Sequence, residues 1–239
     1  MHKHFGIIPA RRGSKGILRK NLQLIGNKPL LQFTLEAALG SQVLDFCILS
    51  SDDHDAIELS KKMGIDVPFI RPSYLSEDNS SSVDVVLHAL EWYKNKFFEY
   101  PENIVLLQPT SPFRNSQDID EAIREYEKTH KESLVSVCEV SQHPSECIML
   151  TERGSIERIF LSRDETKAGR QGYKRVYFID GGIYISSVNR FLKRGTLIDD
   201  QSGVYVIPKS HGIDIDDIFD LELARALFFY SENMNKNVF

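Results

Sequence analysis

Five of the ten residues from Arg11 to Lys20 are basic, in a 239-residue chain whose formal net charge is −5. They lie in the segment PARRGSKGILRKN, directly after a short apolar run. Gly13 and Gly16 let the backbone turn tightly and aim N–H groups at an anion. Arg11, Lys15 and Lys20 bring full charges of the kind that hold a polyphosphate. The loop is not a Walker A loop, because no Gly-Lys-Ser/Thr closes it. It is not the dinucleotide fingerprint, because Gly-x-Gly-x-x-Gly is absent. On charge alone, a solvated basic loop explains the stretch equally well. Its position after the first strand favours binding, since ligands of open α/β sheets sit beyond the carboxyl ends of the strands.

A second signal lies near the other end, in His211-Gly212-Ile213-Asp214-Ile215-Asp216-Asp217. Residues two apart in an extended segment face the same side. Asp214 and Asp216 thus form a paired-carboxylate site for a hard cation such as Mg²⁺. Capping of the following helix by Asp216 or Asp217 is the simpler role, and it can coexist with metal binding. It leaves the alternation with Ile213 and Ile215 unexplained. A third signal is Leu106-Leu107-Gln108-Pro109-Thr110-Ser111-Pro112-Phe113-Arg114. Its amide and hydroxyls can read a base or sugar edge, while two prolines fix the turn. Taken alone, an ordinary proline-stiffened turn accounts for it.

Other chemistry is sparse. Three cysteines, Cys47, Cys138 and Cys147, match no metal spacing, and two sit in apolar runs, as small buried hydrophobes do. That usage suits a reducing cytoplasm. None of the seven histidines has a partner at motif spacing. No Ser/His/Asp triad is expected.

These residues need elements to hold them. Strands are expected at Phe5–Ala10, Asp45–Ser50, Val67–Ile70, Ile104–Gln108 and Leu134–Val140. Helices are expected at Pro29–Leu39, Asp53–Met63, Ser82–Phe98 and Gln117–Lys128, with Ser81 or Ser82 as the cap of the third. This alternation predicts an α/β fold with a mostly parallel sheet and helices on both faces. The rhythm breaks over 141–175, read as an excursion of hairpins and loop. A strand at Val176–Ile185, a short helix, a strand near Val204–Ile207 and a helix from about residue 218 to 230 follow. The whole reads as one domain, 1–239.

Composition bounds the function. Hydrophobic residues make up 41% and charged residues 26%, ordinary for a globular chain. Mild acidity argues against a nucleic-acid surface. No segment reaches about 18 apolar residues, so no membrane span is expected.

Together, IIPARRGSKGILRKN, LLQPTSPFR and GIDIDDIFDLELA closely resemble the CMP-sialic acid synthetases, or acylneuraminate cytidylyltransferases. FIRPSYLSEDNSSSVDVVLHAL and His143-Pro144 extend the resemblance from Ile7 to Ala224. The resemblance implies a Rossmann-like or GT-A-like fold and a reaction in which CTP and a nonulosonic acid give a CMP-sugar and pyrophosphate. It implies that Arg11, Ser14, Lys15, Lys20 and Asn21 form the nucleotide loop, with Lys20 stabilising the transition state. Arg71, Ser80 and Ser82 would contact the nucleotide, and Gln108 the acidic sugar. Asp214 and Asp216 would hold Mg²⁺, and the excursion would form a homodimer. The runners-up are a KDO-type cytidylyltransferase, a GT-A-like glycosyltransferase, and a binding module without catalysis.

Two departures bear on the sugar. Arg170-Gln171 resembles a family pair whose arginine lies near the sugar, although a solvated loop charge explains Arg170 equally well. Gly172-Tyr173-Lys174 then replaces the usual Leu-Pro. Asp180-Gly181-Gly182 stands where Asn-Gly-Ala is common, so a carboxylate replaces an amide beside the expected site of an acidic sugar. Unless protonated or paired, with Arg175 or Lys174 for example, Asp180 would repel the substrate. These changes point to a bacterial sugar other than plain N-acetylneuraminate, such as legionaminic acid.

Overall fold

In the first strand Phe5 and Ile7 face one side and Ile8 and Ala10 the other, and all four are buried. A strand with two apolar faces must be covered on both. The computed structural model describes residues 2–159 and 174–234. Its elements run in chain order. β1 (His4–Ala10) leads through a 3-10 turn at Lys20–Leu22 to β2 (Leu24–Ile25), β3 (Lys28–Pro29) and α1 (Leu30–Gly40). β4 (Phe46–Ser51), α2 (His54–Met63), α3 (Ser82–Phe97) and β5 (Asn103–Leu107) come next. α4 (Ser116–Thr129), β6 (Ser133–Glu139), β7 (Ile148–Leu150) and β8 (Ile156–Arg158) follow. The chain continues with β9 (Tyr177–Ser187), α5 (Val188–Arg194), β10 (Gly203–Val206) and α6 (Ile218–Met234).

Six strands form the main sheet in the order β10-β6-β9-β5-β1-β4. All neighbours are parallel except β9, which runs antiparallel between β5 and β6. Leu31, Leu35, Ala56, Ile57, Ile119 and Ile123 from α1, α2 and α4 cover one face, packing on Ile8, Leu49, Val105, Leu107 and Ile185. Val86, Leu90, Tyr93, Val188 and Phe191 from α3 and α5 cover the other, against Phe5, Ile7, Ile48, Ile104 and Leu106. Each Val, Leu, Ile or Phe among them stabilises the fold by about 1.5–3 kcal/mol on leaving water.

The α/β expectation holds, with two local differences. Val67–Ile70 is not a strand: Asp66 and Ile70 make only isolated bridges to Ile48 and Ser51 of β4. Pro68 between them has no N–H to donate, which interrupts the ladder. In the excursion, β7 and β8 form one short antiparallel hairpin. Arg170 and Gln171 lie outside the described residues. Ser81, rather than Ser82, caps α3 by accepting from the Asp84 N–H at 3.1 Å.

Candidate functional site

β1 is flanked by β4 on one side and β5 on the other, so the chain leaves its carboxyl end into a crevice at the switch of strand order. A cavity of about 230 Å³ opens there. Arg11, Ser14, Lys20 and Asn21 from the first loop line it, with Arg71, Ser80, Ser82 and Gln108. The three motifs, far apart in sequence, meet through one small apolar cluster. Ile17 of the first loop, Phe113 of the middle motif and Ile215 of the last loop pack together with Leu30 and Leu221. Ile215 also joins them by its backbone. Its N–H donates to the Thr110 carbonyl at 2.9 Å, and its carbonyl accepts from Lys20 Nζ at 2.7 Å.

The cations are held in different ways. Arg71 is buried; it donates from Nε to Ser50 Oγ at 3.0 Å, and from Nη2 to the Ser50 carbonyl. Burial pulls its guanidinium down to about 10. Arg11 Nη1 donates to the Glu77 carbonyl at 2.8 Å and to Asp78 Oδ1 at 3.0 Å. Lys15 stands 3.6 Å from the other oxygen of Asp78 and is well exposed; it is not part of the cavity wall. Asn21 Nδ2 donates to the Arg11 carbonyl at 3.0 Å, closing the loop on itself. Ser80 Oγ donates to the Tyr74 carbonyl at 2.9 Å.

Asp214 and Asp216 do not line the cavity; they stand beside two residues that do, Thr110 and Lys20. Burial, reinforced by the charge of Asp216, pushes the Asp214 carboxyl up to about 6, against the opposing effect of the neighbouring Thr110 hydroxyl and the Lys20 ammonium. Its buried Oδ1 has no hydrogen-bond partner. Asp216 is exposed and stands 3.5 Å from Lys20 Nζ. A buried carboxylate oxygen without a donor, beside a second carboxylate, fits a cation that takes one or two carboxylates and completes its shell with water and phosphate. Among the described residues no group of three or more His, Cys, Asp or Glu side chains could hold a metal. Two carboxylates without a third are therefore what this site offers.

The DGG segment lies behind Gln108 and Asp214, and none of its three residues lines the cavity. Gly181 adopts φ +79°, and a Cβ there would stand 3.3 Å from Gln108 Oε1 and 3.5 Å from Asp214 Oδ2. Asp180 itself is fully buried and does not line the cavity. A Cβ on Gly182 would meet Asp180 Oδ2 at 2.8 Å, with Ser111 and Ser136 Oγ at 3.5 Å. The absent methyl of Gly182 thus makes room for the carboxylate to turn inward. Burial raises its pKa; Ser136, local backbone N–H groups and the buried Arg114 guanidinium oppose that rise. Arg114 is the cation that acts on it, not the Lys174 or Arg175 considered from the sequence.

The cytidylyltransferase family model matches residues 5–226. The chain belongs to that family. An N-acylneuraminate cytidylyltransferase of Escherichia coli is 35% identical over 223 residues, covering 93% of this chain. The chain spans only 51% of that relative's length. A pseudaminic acid cytidylyltransferase of Campylobacter jejuni is 31% identical over 226 residues, covering 95% of this chain and 96% of the relative. A CMP-2-keto-3-deoxy-manno-octonic acid synthetase complexed with CTP superposes with a TM-score of 0.68 at 17% identity, over 96% of this chain and 99% of the other. That last likeness speaks for the fold alone.

Within this family frame the structure adds a residue that motif reading passed over. Asp78, in SEDNS, lines the cavity and bridges Arg11 and Lys15. The signal for it was available: an acid between the Arg71 and Ser80 positions must fall near the loop's cations. Pro9, Leu75, Val85 and Pro109 supply apolar wall. No helix among the described residues is long and apolar enough to cross a membrane.

Proposed function

We propose that the chain transfers CMP from CTP to the anomeric hydroxyl of a nonulosonic acid, releasing pyrophosphate. The observation that carries this reading is the convergence of Arg11, Lys20 and Arg71 around one crevice, with Asp214 and Asp216 beside its Thr110 and Lys20. Phosphoryl-type transfer needs in-line positioning and cancellation of charge more than covalent chemistry. Arg11 and Arg71 hold phosphate oxygens, and Lys15 adds charge from outside the wall. Lys20 faces the charge that develops as pyrophosphate leaves. Ser14, Asn21, Ser80 and Ser82 orient the nucleoside, and Gln108 faces the sugar. Asp214 and Asp216 would hold Mg²⁺, which when bound neutralises the triphosphate and polarises the α-phosphate.

The full-length likeness to a pseudaminic acid cytidylyltransferase favours a nonulosonic acid over KDO as acceptor. The DGG segment beside Gln108, with the fully buried Asp180, favours one other than plain N-acetylneuraminate, legionaminic acid among them. Kinetics of pyrophosphate release with CTP and a panel of nonulosonic acids and KDO tests both points. A preference for N-acetylneuraminate overturns the second, and turnover of KDO alone overturns the first. Asp214→Ala and Asp216→Ala should each nearly abolish Mg²⁺-dependent release in a folded protein. Full activity in either removes that carboxylate from the reading.

The protein acts as a homodimer in the cytoplasm on this reading. Ile148, Met149 and Leu150 of β7, Ile156 of β8, and Phe178 and Ile179 of β9 are all exposed, more large apolar side chains than a short hairpin and one strand end usually leave in water. Three free cysteines suit a reducing compartment. Sedimentation at micromolar concentration should give a dimer that Leu150→Asp dissociates. A fully active wild-type monomer refutes the assembly.

A further inference from the structure

Of the five basic residues that open the sequence, Arg19 has no place in the cavity wall, yet its conformation is unusual. It sits in the left-handed region, at φ 51° and ψ 45°. The other non-glycine residues with positive φ among those described, Phe98 and His130, are helix C-caps, where that conformation is common. Arg19 instead precedes the 3-10 turn that begins with Lys20. A backbone held there against its preference needs something to hold it.

Its side chain supplies the hold. Nη2 donates to Asp53 at 3.0 and 3.3 Å and to Asp55 Oδ2 at 2.5 Å. The anchor is firm: Asp53 is buried and caps α2 by accepting from the Asp55 N–H at 3.0 Å. The same corner of β4 and α2 organises the rest of the crevice. Asp52 accepts from the Arg12 N–H at 2.8 Å, the Ser51 carbonyl accepts from the Arg71 N–H at 2.8 Å, and Ser50 holds the Arg71 guanidinium. On the other side of the left-handed residue, Lys20 turns inward to the Ile215 carbonyl. Arg19 and Lys20 therefore face opposite ways from one constrained backbone unit.

We propose that Arg19 is a positioning residue, whose ion pair with Asp53 and Asp55 fixes the left-handed turn that aims the Lys20 ammonium into the crevice. The inference rests on the proposed cytidylyl transfer for its kinetic consequence, though its geometric core concerns Lys20 alone. A misplacement of about 1 Å at a reacting group costs about a hundredfold in rate. Arg19→Ala lowers kcat about 10- to 100-fold while KM for CTP moves less than about threefold. Arg19→Gly accepts the left-handed backbone but lacks the ion pair, and is slowed alike. Arg19→Lys, which keeps a charge within reach of the acids, recovers most of the rate. Because Arg19 acts through Lys20, the Arg19→Ala/Lys20→Ala double variant is no slower than Lys20→Ala alone.

A second measurement needs no turnover. Reductive methylation followed by peptide mass spectrometry reads the reactivity of the Lys20 amine against exposed Lys128. Lys20 is slow in the wild type, being 14% exposed and hydrogen-bonded, and several-fold faster in Arg19→Ala. If the wild type releases no pyrophosphate with any sugar, the functional reading fails and the labelling ratio still decides the role of Arg19. An unchanged ratio, a wild-type rate in Arg19→Gly, or additive losses in the double variant overturns the proposal.

Discussion

Gly16→Ala tests whether the first and last loops must touch. A Cβ on Gly16 would stand 2.5 Å from the Asp216 carbonyl oxygen, with the Asp216 carbonyl carbon at 3.6 Å. A carbon rests about 3.3–3.6 Å from a carbonyl oxygen at its closest favourable approach. The obstacle is backbone, so it cannot rotate away as a side chain would. The two loops must part by about 0.8 Å or more to reach that distance. Such a shift moves the basic loop away from the segment that carries both candidate metal ligands, and it stretches the 2.7 Å bond from Lys20 to Ile215. The expected result is a fall in kcat of about 10- to 100-fold, with stability reduced by about 1–3 kcal/mol as in other overpacked sites. Pyrophosphate release under saturating CTP and sugar, alongside urea unfolding, measures the two effects separately. Wild-type kcat in a folded Gly16→Ala protein would refute the claim that these loops are held at contact distance in the working enzyme.

Two further outcomes concern stability. Arg114 is 1% exposed, donates to Thr34 Oγ1 at 2.7 Å, and is drawn down to about 10 by burial against the opposing charges of Asp118 and Asp180. Arg114→Met takes the donor from Thr34 Oγ1 and removes the charge that opposes the burial of Asp180, and should cost about 1–3 kcal/mol in urea unfolding; adding Asp180→Asn should recover part of it, and an unchanged midpoint in Arg114→Met contradicts both contributions. The Glu127 carboxyl is held low by a hydrogen bond from Lys3, with His4 adding to it. A lowered carboxyl stabilises the fold above its unfolded pKa and loses that contribution as pH falls through the folded value. Glu127→Gln should therefore flatten the decline in stability on the acid side of about pH 4.5, by a small amount given its partial exposure, and an unchanged pH profile would rule the pair out.

Much of this was readable before the structure, and the reasons differ by residue. The continuous apolar runs of β1 and β5 announce strands covered on both faces, because each face must leave water. Asn115 and Asp118 form a reciprocal cap at the start of α4, a local signal any reader of sequence can find. Arg11, Lys20 and Gln108 were legible because loops following parallel strands converge at one end of such a sheet, whereas Ser14, Asn21, Arg71, Ser80 and Ser82 entered only through the family resemblance. The direction of Asp180 was not. It depends on the missing methyl at Gly182, two residues away, where a Cβ would meet its Oδ2. The antiparallel course of β9 was equally hidden, since period-two alternation is the same in either direction. Arg19 escaped because its partners Asp53 and Asp55 lie more than thirty residues away, beyond the reach of any local charge pattern.

The placement of β9 also has a consequence for how the protein is made. β1, β4 and β5 pair among themselves, using only the first 107 residues. β6 has no partner among them: its neighbours are β9 and β10, both later in the chain. During synthesis the buried face of β6 and the inner edge of β5 thus stay open until residues 177–187 emerge and insert between them. An unpaired apolar edge is the species most prone to join another chain. The interval between the end of β6 and the arrival of β9 is therefore the aggregation-sensitive window of this fold, and one strand closes it from both sides.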